Sequence, residues 1–375
     1  MDLSLYKNEL TEINKIVKSY NDNPLKKTLL LANYSKSKLP NLNNIPQYHN
    51  ILGLINLRLN DVKQSILDFE TAIKINPKFH PAYYNLGLAY FNSNNLDLSY
   101  SFLTKAINLK KDYKMAADKL IELLSFYEPV KTSANLIYDL NKKIKKVKFN
   151  IDLSNKISDQ KIIDYFSRCK KIVLENLEDL SYNKLQIFRK KTIFLNCERH
   201  KSIFKKYNTI PKYCFDCFKV VIESKSFYDL LKVSLLFDQV TFFSNFNRKN
   251  MIDKKSKKDV FKSIIYCSNL EQVFETEKKT KEILNRYFDN NLLITSKRGC
   301  YEYELKFPEY KKINKNHSKL MSFPEKWTDN EKEYDLENTK DGFEKKISVH
   351  DTIKGNSLHN FLIINNWFND QKLPL

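Results

Sequence analysis

Glycine is scarce. The 375-residue chain has five, Gly53, Gly87, Gly299, Gly342 and Gly355, and no two are close enough to build a loop that cradles a phosphate. That excludes a Walker A loop and a G-x-G-x-x-G dinucleotide fingerprint. Long apolar runs are also missing. No stretch reaches the ~18 residues of a membrane helix. The N-terminus, Met1-Asp2-Leu3-Ser4-Leu5-Tyr6-Lys7, carries an early acid and no apolar core, so it does not read as a signal peptide. The expected compartment is the cytoplasm, where thiols stay reduced. The six cysteines then point to metal, chemistry or burial rather than disulfides.

Acids are the minority charge, 44 Asp and Glu against 64 Lys and Arg, for a net +20. Such a surplus raises nucleic acid as a partner. It is spread evenly over the two halves, in a chain crowded with Lys, Asn and Ile, and its densest run, Lys142 to Lys148, reads as a solvated helix end. Nucleic-acid binding is therefore the second alternative here. With 42% hydrophobic residues, two or three packed domains are affordable.

The first half repeats itself. "YHNILGLINLRLNDVKQSILDFETAIKINP" is followed by "YYNLGLAYFNSNNLDLSYSFLTKAINLKKD", with Leu52-Gly53 returning as Leu86-Gly87 and Ala72 as Ala106. The step is 34 residues. Gly in mid-helix costs about 1 kcal/mol relative to Ala, which makes sense where a second helix packs close; Ala72 and Ala106 are the expected small partners. Polar breaks at 59–61 and 93–95 separate the helices. Two repeats cannot bury their faces alone; residues 8–38 read as a degenerate first repeat, and Met115 to Phe126 as a cap.

The 34-residue period, the L-G…A pattern, Pro77, Phe69 and Tyr90 resemble the tetratricopeptide repeat (TPR) family, with Ser65, Ser99 and Lys111 as departures. The resemblance implies an α-solenoid over 1–148 that binds a peptide or protein partner in a concave groove. Here that groove would be lined by Asn50, Leu54, Leu57, Tyr84, Leu88 and Phe91. It is apolar and aromatic. Only Asn50 fits the Lys/Asn set by which some family members clamp a C-terminal carboxylate.

Residues 149–196 read as a helical linker, with helical pattern over 158–190. From 197 to about 310 the pattern alternates: strands at 218–224, 239–246, 260–268 and 291–305, and helices at 226–238 and 270–288. Ser226/Asp229 and Ser268/Glu271 have capping-box spacing. The order β-α-β-β-α-β predicts a ferredoxin-like α+β domain. RNA-recognition domains share that order, but "FKSIIYC" lacks their basic-Gly-aromatic signature. Residues 311–375 read as a polar tail with an apolar docking segment, "LHNFLIINNWF", anchored by Trp367 and Phe368.

"CERHKSIFKKYNTIPKYCFDC" carries the chemistry. Cys197-x-x-His200 and Cys214-x-x-Cys217 lie 13 residues apart, a spacing that can close a tetrahedral zinc shell. Buried thiols are the competing reading. In the expected topology the last strand runs antiparallel beside the first, which brings Cys300 to the cluster as a rival fourth ligand. Cys267 is expected at the far edge, on a third strand parallel to the first, and Cys169 in a core. Four cysteines without the histidine would suit an iron–sulfur cluster. Arg298 beside Cys300 allows a nucleophilic thiol. The motifs C-x-R-H, I-P-x-x-C-F-x-C and R-G-C also resemble a module, without an established activity, that recurs in TPR-containing proteins; the likeness covers about 185–310. The leading expectation is a scaffold or adaptor with a zinc-stapled C-terminal domain. The alternative is an enzyme, a transferase or one using iron–sulfur or thiol chemistry, to which the repeats recruit substrate.

Overall fold

A computed structural model describes residues 6–131, 135–152, 155–176, 182–191, 197–254, 259–288, 292–311, 313, 320–339 and 350–375. The chain divides into two compact units, one built mainly from 1–123 and 128–137, the other from 124–127, 138–334 and 349–375. The second unit thus takes in 138–148, the segment 149–196 and the C-terminal segment.

The first unit is helical: α1 (Lys7–Asp22), α2 (Leu25–Lys38), α3 (Pro46–Arg58), α4 (Val62–Ile75), α5 (His80–Asn92), α6 (Leu96–Leu109) and α7 (Lys114–Leu123). The two polar breaks are matching turns. Asn60 and Asn94 adopt φ near +64° and +63°, the left-handed helix-ending conformation that Asn tolerates. The amide N–H groups of Asn60 and Asp61 donate to Leu57 O and Asn56 O, and those of Asn94 and Asn95 to Phe91 O and Tyr90 O. Asp61 and Asn95 then cap the next helix, accepting from Gln64 and Leu98 N–H. One turn is thus written twice at the 34-residue step.

Gly53 and Gly87 do permit close helix packing, but not against the expected alanines. A Cβ on Gly53 would run into the Phe69 ring, and one on Gly87 would sit 3.0 Å from Leu103 Cγ. Ala72 and Ala106 are fully buried elsewhere on the same helices. Helices α1 and α2 pack on α3 through Ile13, Ile16, Ala32 and Ile51, and Tyr48 Oη donates to Ala32 O at 3.1 Å.

The second unit opens with most of α8 (Leu136–Lys146), then α9 (Asp159–Leu174), β1 (Gln186–Arg189), α10 (Cys197–Tyr207), α11 (Lys212–Phe215), β2 (Phe218–Ser224), α12 (Phe227–Gln239), β3 (Arg248–Asp253), β4 (Val260–Cys267), α13 (Leu270–Tyr287), β5 (Leu293–Arg298) and α14 (Tyr301–Lys306). Helices α15 (Trp327–Thr339) and α16 (Leu358–Asp370) follow. The strands form one antiparallel sheet in the order β1-β3-β4-β2-β5.

Four expectations are corrected. The helical pattern read through 190 ends at Leu174, residues 177–181 lie outside the described residues, and 186–189 is an edge strand. Residues 241–245 form a 3-10 turn and the second strand begins at Arg248; the aromatics Phe237 and Phe243 stack there, 3.9 Å between centroids, and tertiary packing overrides β propensity. The stretch 291–305 holds a strand and then a short helix. The second cap is Asn269, one residue beyond Ser268.

Helices α12 and α13 cover one face of the sheet: Asn250 Nδ2 donates to Ser234 Oγ, and Cys267 meets Thr276. Val220, Ile222, Phe261 and Ile265 fill that side. Asp238 of α12 is pinned there by Arg189 and Arg248, with Arg189 Nε at 2.9 Å and Arg248 Nη2 at 2.9 Å from Oδ1. Helix α16 packs on α9 and β1, and Trp367 Nε1 donates to Leu185 O at 3.2 Å.

Candidate functional site

The segment 197–217 folds as α10, a loop closed by Pro211, and the single turn α11. Cys214 and His200 come together: Cys214 Sγ lies 3.1 Å from His200 Nδ1. Burial pushes the Cys214 thiol up to about 12, and thiol and imidazole share one hydrogen bond. The Cys214 sulfur also accepts from Tyr303 Oη at 3.4 Å. Tyr310 Oη donates to Cys214 O. Gly299 adopts φ +62°, and a Cβ there would enter the Tyr310 ring; its N–H donates to Cys217 O at 2.7 Å. The Arg298-Gly299-Cys300 turn therefore clamps the start of β2, as the antiparallel pairing Phe218↔Arg298 requires.

Cys197 is exposed, and Cys217 and Cys300 are half-buried. These thiols lie within electrostatic reach of one another and of Cys214: burial pushes Cys217 up to about 11, with Cys300 and Cys197 adding to the shift and Lys219 opposing it, and burial followed by Cys300 raises Cys197. Among the described residues, no group of three or more His, Cys, Asp or Glu side chains is arranged to hold a metal ion. Of the expected shell, the structure joins one pair, Cys214 and His200.

Cys267 is not at the far edge. It pairs with Phe218, at the same end of the sheet as the cluster, because the split topology inserts the third strand antiparallel to the first. Its thiol, pushed up to about 12 by burial, is a core group, as is Cys169, whose sulfur accepts from Asn356 Nδ2. Arg298 does not serve Cys300. Its Nε donates to Phe215 O at 2.7 Å, and its guanidinium stacks on the Phe215 ring at 3.9 Å. Arg199 pairs with Glu331 and Lys201 with Glu302.

The cation among the thiols is Lys219, which sequence reasoning missed. It lies second in a β-branched strand (Phe218–Ser224), where the local pattern does not mark it. It is 8% exposed, and Nζ donates to Gly299 O at 2.8 Å and Cys300 Sγ at 3.4 Å. Burial works against its charge, but the sulfurs of Cys300 and Cys217 and the Tyr266 oxygen outweigh burial and raise its pKa. A cleft of about 570 Å³ adjoins the cluster through Cys217 and Tyr266, with Lys212, Asp216 and Glu331 on its wall.

In the first unit, Asn50, Leu54, Leu57, Tyr84, Leu88 and Phe91 are all half-buried. Asn85 Nδ2 donates to Asn50 Oδ1 at 2.8 Å, tying α5 to α3. Tyr84 meets Tyr113 edge-on, and Lys119 Nζ sits 3.5 Å over the Phe91 ring.

Residues 53–94 match the family described as TPR repeat, and residues 80–113 match the one described as tetratricopeptide repeat. No curated protein matches the chain. No helix among the described residues is long and apolar enough to cross a membrane.

Proposed function

We propose that this protein is an adaptor whose N-terminal repeats hold a peptide or protein partner on the face carrying Asn50, Leu54, Leu57, Tyr84, Leu88 and Phe91. TPR repeats at 53–113 mediate protein–protein binding in general. The observation that carries the reading is that all six side chains stay half-buried on α3 and α5 while the Phe69 and Leu103 sides of these helices are sealed. An apolar, aromatic face selects a segment with apolar anchors at helical or extended spacing. The test is selection from a displayed peptide library, followed by titration of the selected peptides. Binding that survives a Leu54→Asp/Leu88→Asp double variant would remove the groove from the account.

The part β2-α12-β3-β4-α13-β5 is read as ferredoxin-like, with β1 as an added edge strand. The support is the strand order β3-β4-β2-β5 with both helices on one face. Structural zinc on Cys197, His200, Cys214 and Cys217, with Cys300 as rival, is the finer part of the proposal. The contact between Cys214 and His200 supports it; among the described residues no third donor joins them. Metal analysis of the purified chain decides: about one zinc per chain retains it and none removes it.

A further inference from the structure

Part of the chain's densest basic run, Lys142 to Lys148, faces a cavity. Lys146 and Lys148, with Arg168 and Lys171 of α9, line a cleft of about 630 Å³ in the second unit. Glu175 is the one acid on its wall. Four cations thus stand against one carboxylate, a surplus of three. None of the four has an ion-pair partner among the described residues. The last turn of a helix favours basic side chains, because its carbonyl end carries partial negative charge. That accounts for Lys146 at the end of α8 and Lys171 at the end of α9. It does not account for Lys148, which lies beyond α8, or for Arg168, which precedes the last turn of α9.

The wall of the cleft is anchored. Phe149, between Lys148 and Asn150, packs edge-on against Tyr165 of α9 at 5.1 Å between ring centroids, and Tyr165 is buried. Gln239 Nε2 donates to Phe149 O. Lys148 therefore leaves a seated stretch of backbone, and little ordering is left for a ligand to impose. Arg168 Nε donates to Asp164 O at 3.4 Å, which leaves its terminal N–H groups for the forked contact that a guanidinium makes with a phosphate. The cations come from two sides, the segment 146–148 and α9, so a ligand that meets them all carries charge at two points. One phosphate group carries about −1.5 to −2 at neutral pH and leaves part of the surplus unmet; two linked phosphates match it. Among the lining residues there is no aromatic ring, so the bases of a single strand find nothing to stack on. The apolar face of α8 is buried at Leu140 and Ile144, which leaves it no anchor for a membrane surface.

We infer that this cleft binds a diphosphate group, held by the side chains of Lys146, Lys148, Arg168 and Lys171. With no glycine-rich loop in the chain, side chains rather than backbone N–H groups hold the anion. The group would come either as the free ion or as a diphosphate ester. The site is independent of the repeat groove and of any metal at Cys214.

The experiment uses the full chain, with ionic strength held constant with chloride and magnesium omitted. Calorimetric titration and thermal unfolding are run with inorganic diphosphate, adenosine diphosphate and inorganic phosphate. Diphosphate is expected to bind saturably, about ten-fold or more tighter than phosphate, and to raise the melting temperature. Lys148→Ala and Arg168→Ala, both at exposed positions, should keep the wild-type melting temperature in chloride and bind about ten-fold more weakly each. Lys63→Ala/Lys111→Ala removes two exposed charges elsewhere and should change the affinity by less than about two-fold. Tighter binding of adenosine diphosphate than of the inorganic ion identifies an ester, with its organic body over Val147 and Ile172; equal or weaker binding identifies the free ion. The inference is overturned if neither diphosphate binds saturably, if phosphate binds as tightly, or if affinity ignores Lys148→Ala and Arg168→Ala. It is also overturned if Lys63→Ala/Lys111→Ala weakens binding as much as they do, or if only an RNA oligonucleotide or phosphatidylserine vesicles respond.

Discussion

Adding one methyl group at Gly53 tests how the repeats pack. An alanine in mid-helix gains about 1 kcal/mol of helix propensity. Overpacking costs about 1–3 kcal/mol, and here the new Cβ would lie 2.6 Å from Phe69 Cδ1 and 2.8 Å from Cζ. Phe69 is fully buried, so its ring has no free space to enter, and the cost falls at the upper end. Gly53→Ala should therefore destabilise by about 1–2 kcal/mol net. Gly87→Ala meets Leu103 Cγ at 3.0 Å and Cδ2 at 3.1 Å, contacts that a shift of a few tenths of an ångström relieves. Its two effects nearly cancel, within about 0.5 kcal/mol. The double variant Gly53→Ala/Phe69→Leu reproduces in the first repeat the alanine–leucine contact of Gly87→Ala and should recover at least about 1 kcal/mol of coupling energy. Urea unfolding followed by circular dichroism reads wild type, the three single variants and the double variant. If Gly53→Ala is as stable as wild type, or if Phe69→Leu shows no coupling to it, the packing argument is wrong.

Further outcomes follow from the second unit. Burial works to raise the Asp238 carboxyl, but Arg189 and Arg248 outweigh it and hold it below the usual range; since the folded pKa is the lower one, this stability is present above about pH 4 and is lost as pH falls through the folded value. Asp238→Asn should cost about 3–5 kcal/mol at pH 7 and flatten the acid limb of a melting-temperature profile from pH 7 to 3. Trp367→Ala, at a site 2% exposed, should cost about 3–5 kcal/mol by denaturant titration, and Trp367→Phe distinctly less. Gly299→Ala imposes a left-handed residue, at about 1–2 kcal/mol, and drives a methyl into Tyr310; it should destabilise more than Gly87→Ala in the same assay.

Much of the repeat was legible because it is local and written twice. The 34-residue step, the Asn turns and the mid-helix glycines each follow from short stretches. The identity of the packing partner was not legible: Phe69 and Leu103 precede Ala72 and Ala106 by three residues, one turn of the same helix face, and a pattern of small residues pointed to the wrong pair. In the second unit, β2 and β4 were read nearly to the residue, since β-branched runs between turn residues are strong signals. β3 and β1 were missed because their formation depends on pairing and on the Asp238 clamp. The thiol cluster was legible as a set of residues, but not Lys219, whose burial is a consequence of sheet register. The misplacement of Cys267 came from assigning the wrong direction to a single strand.

Partner binding on the face formed by α3 and α5 is read out by titrating peptides selected on the intact chain against wild type and Leu54→Asp/Leu88→Asp. The expected result is saturable binding of peptides with apolar or aromatic anchors, weakened at least ten-fold by the double variant at a temperature where circular dichroism shows it still helical. Equal affinity for both proteins, or no selected peptide that binds wild type, would contradict the claim.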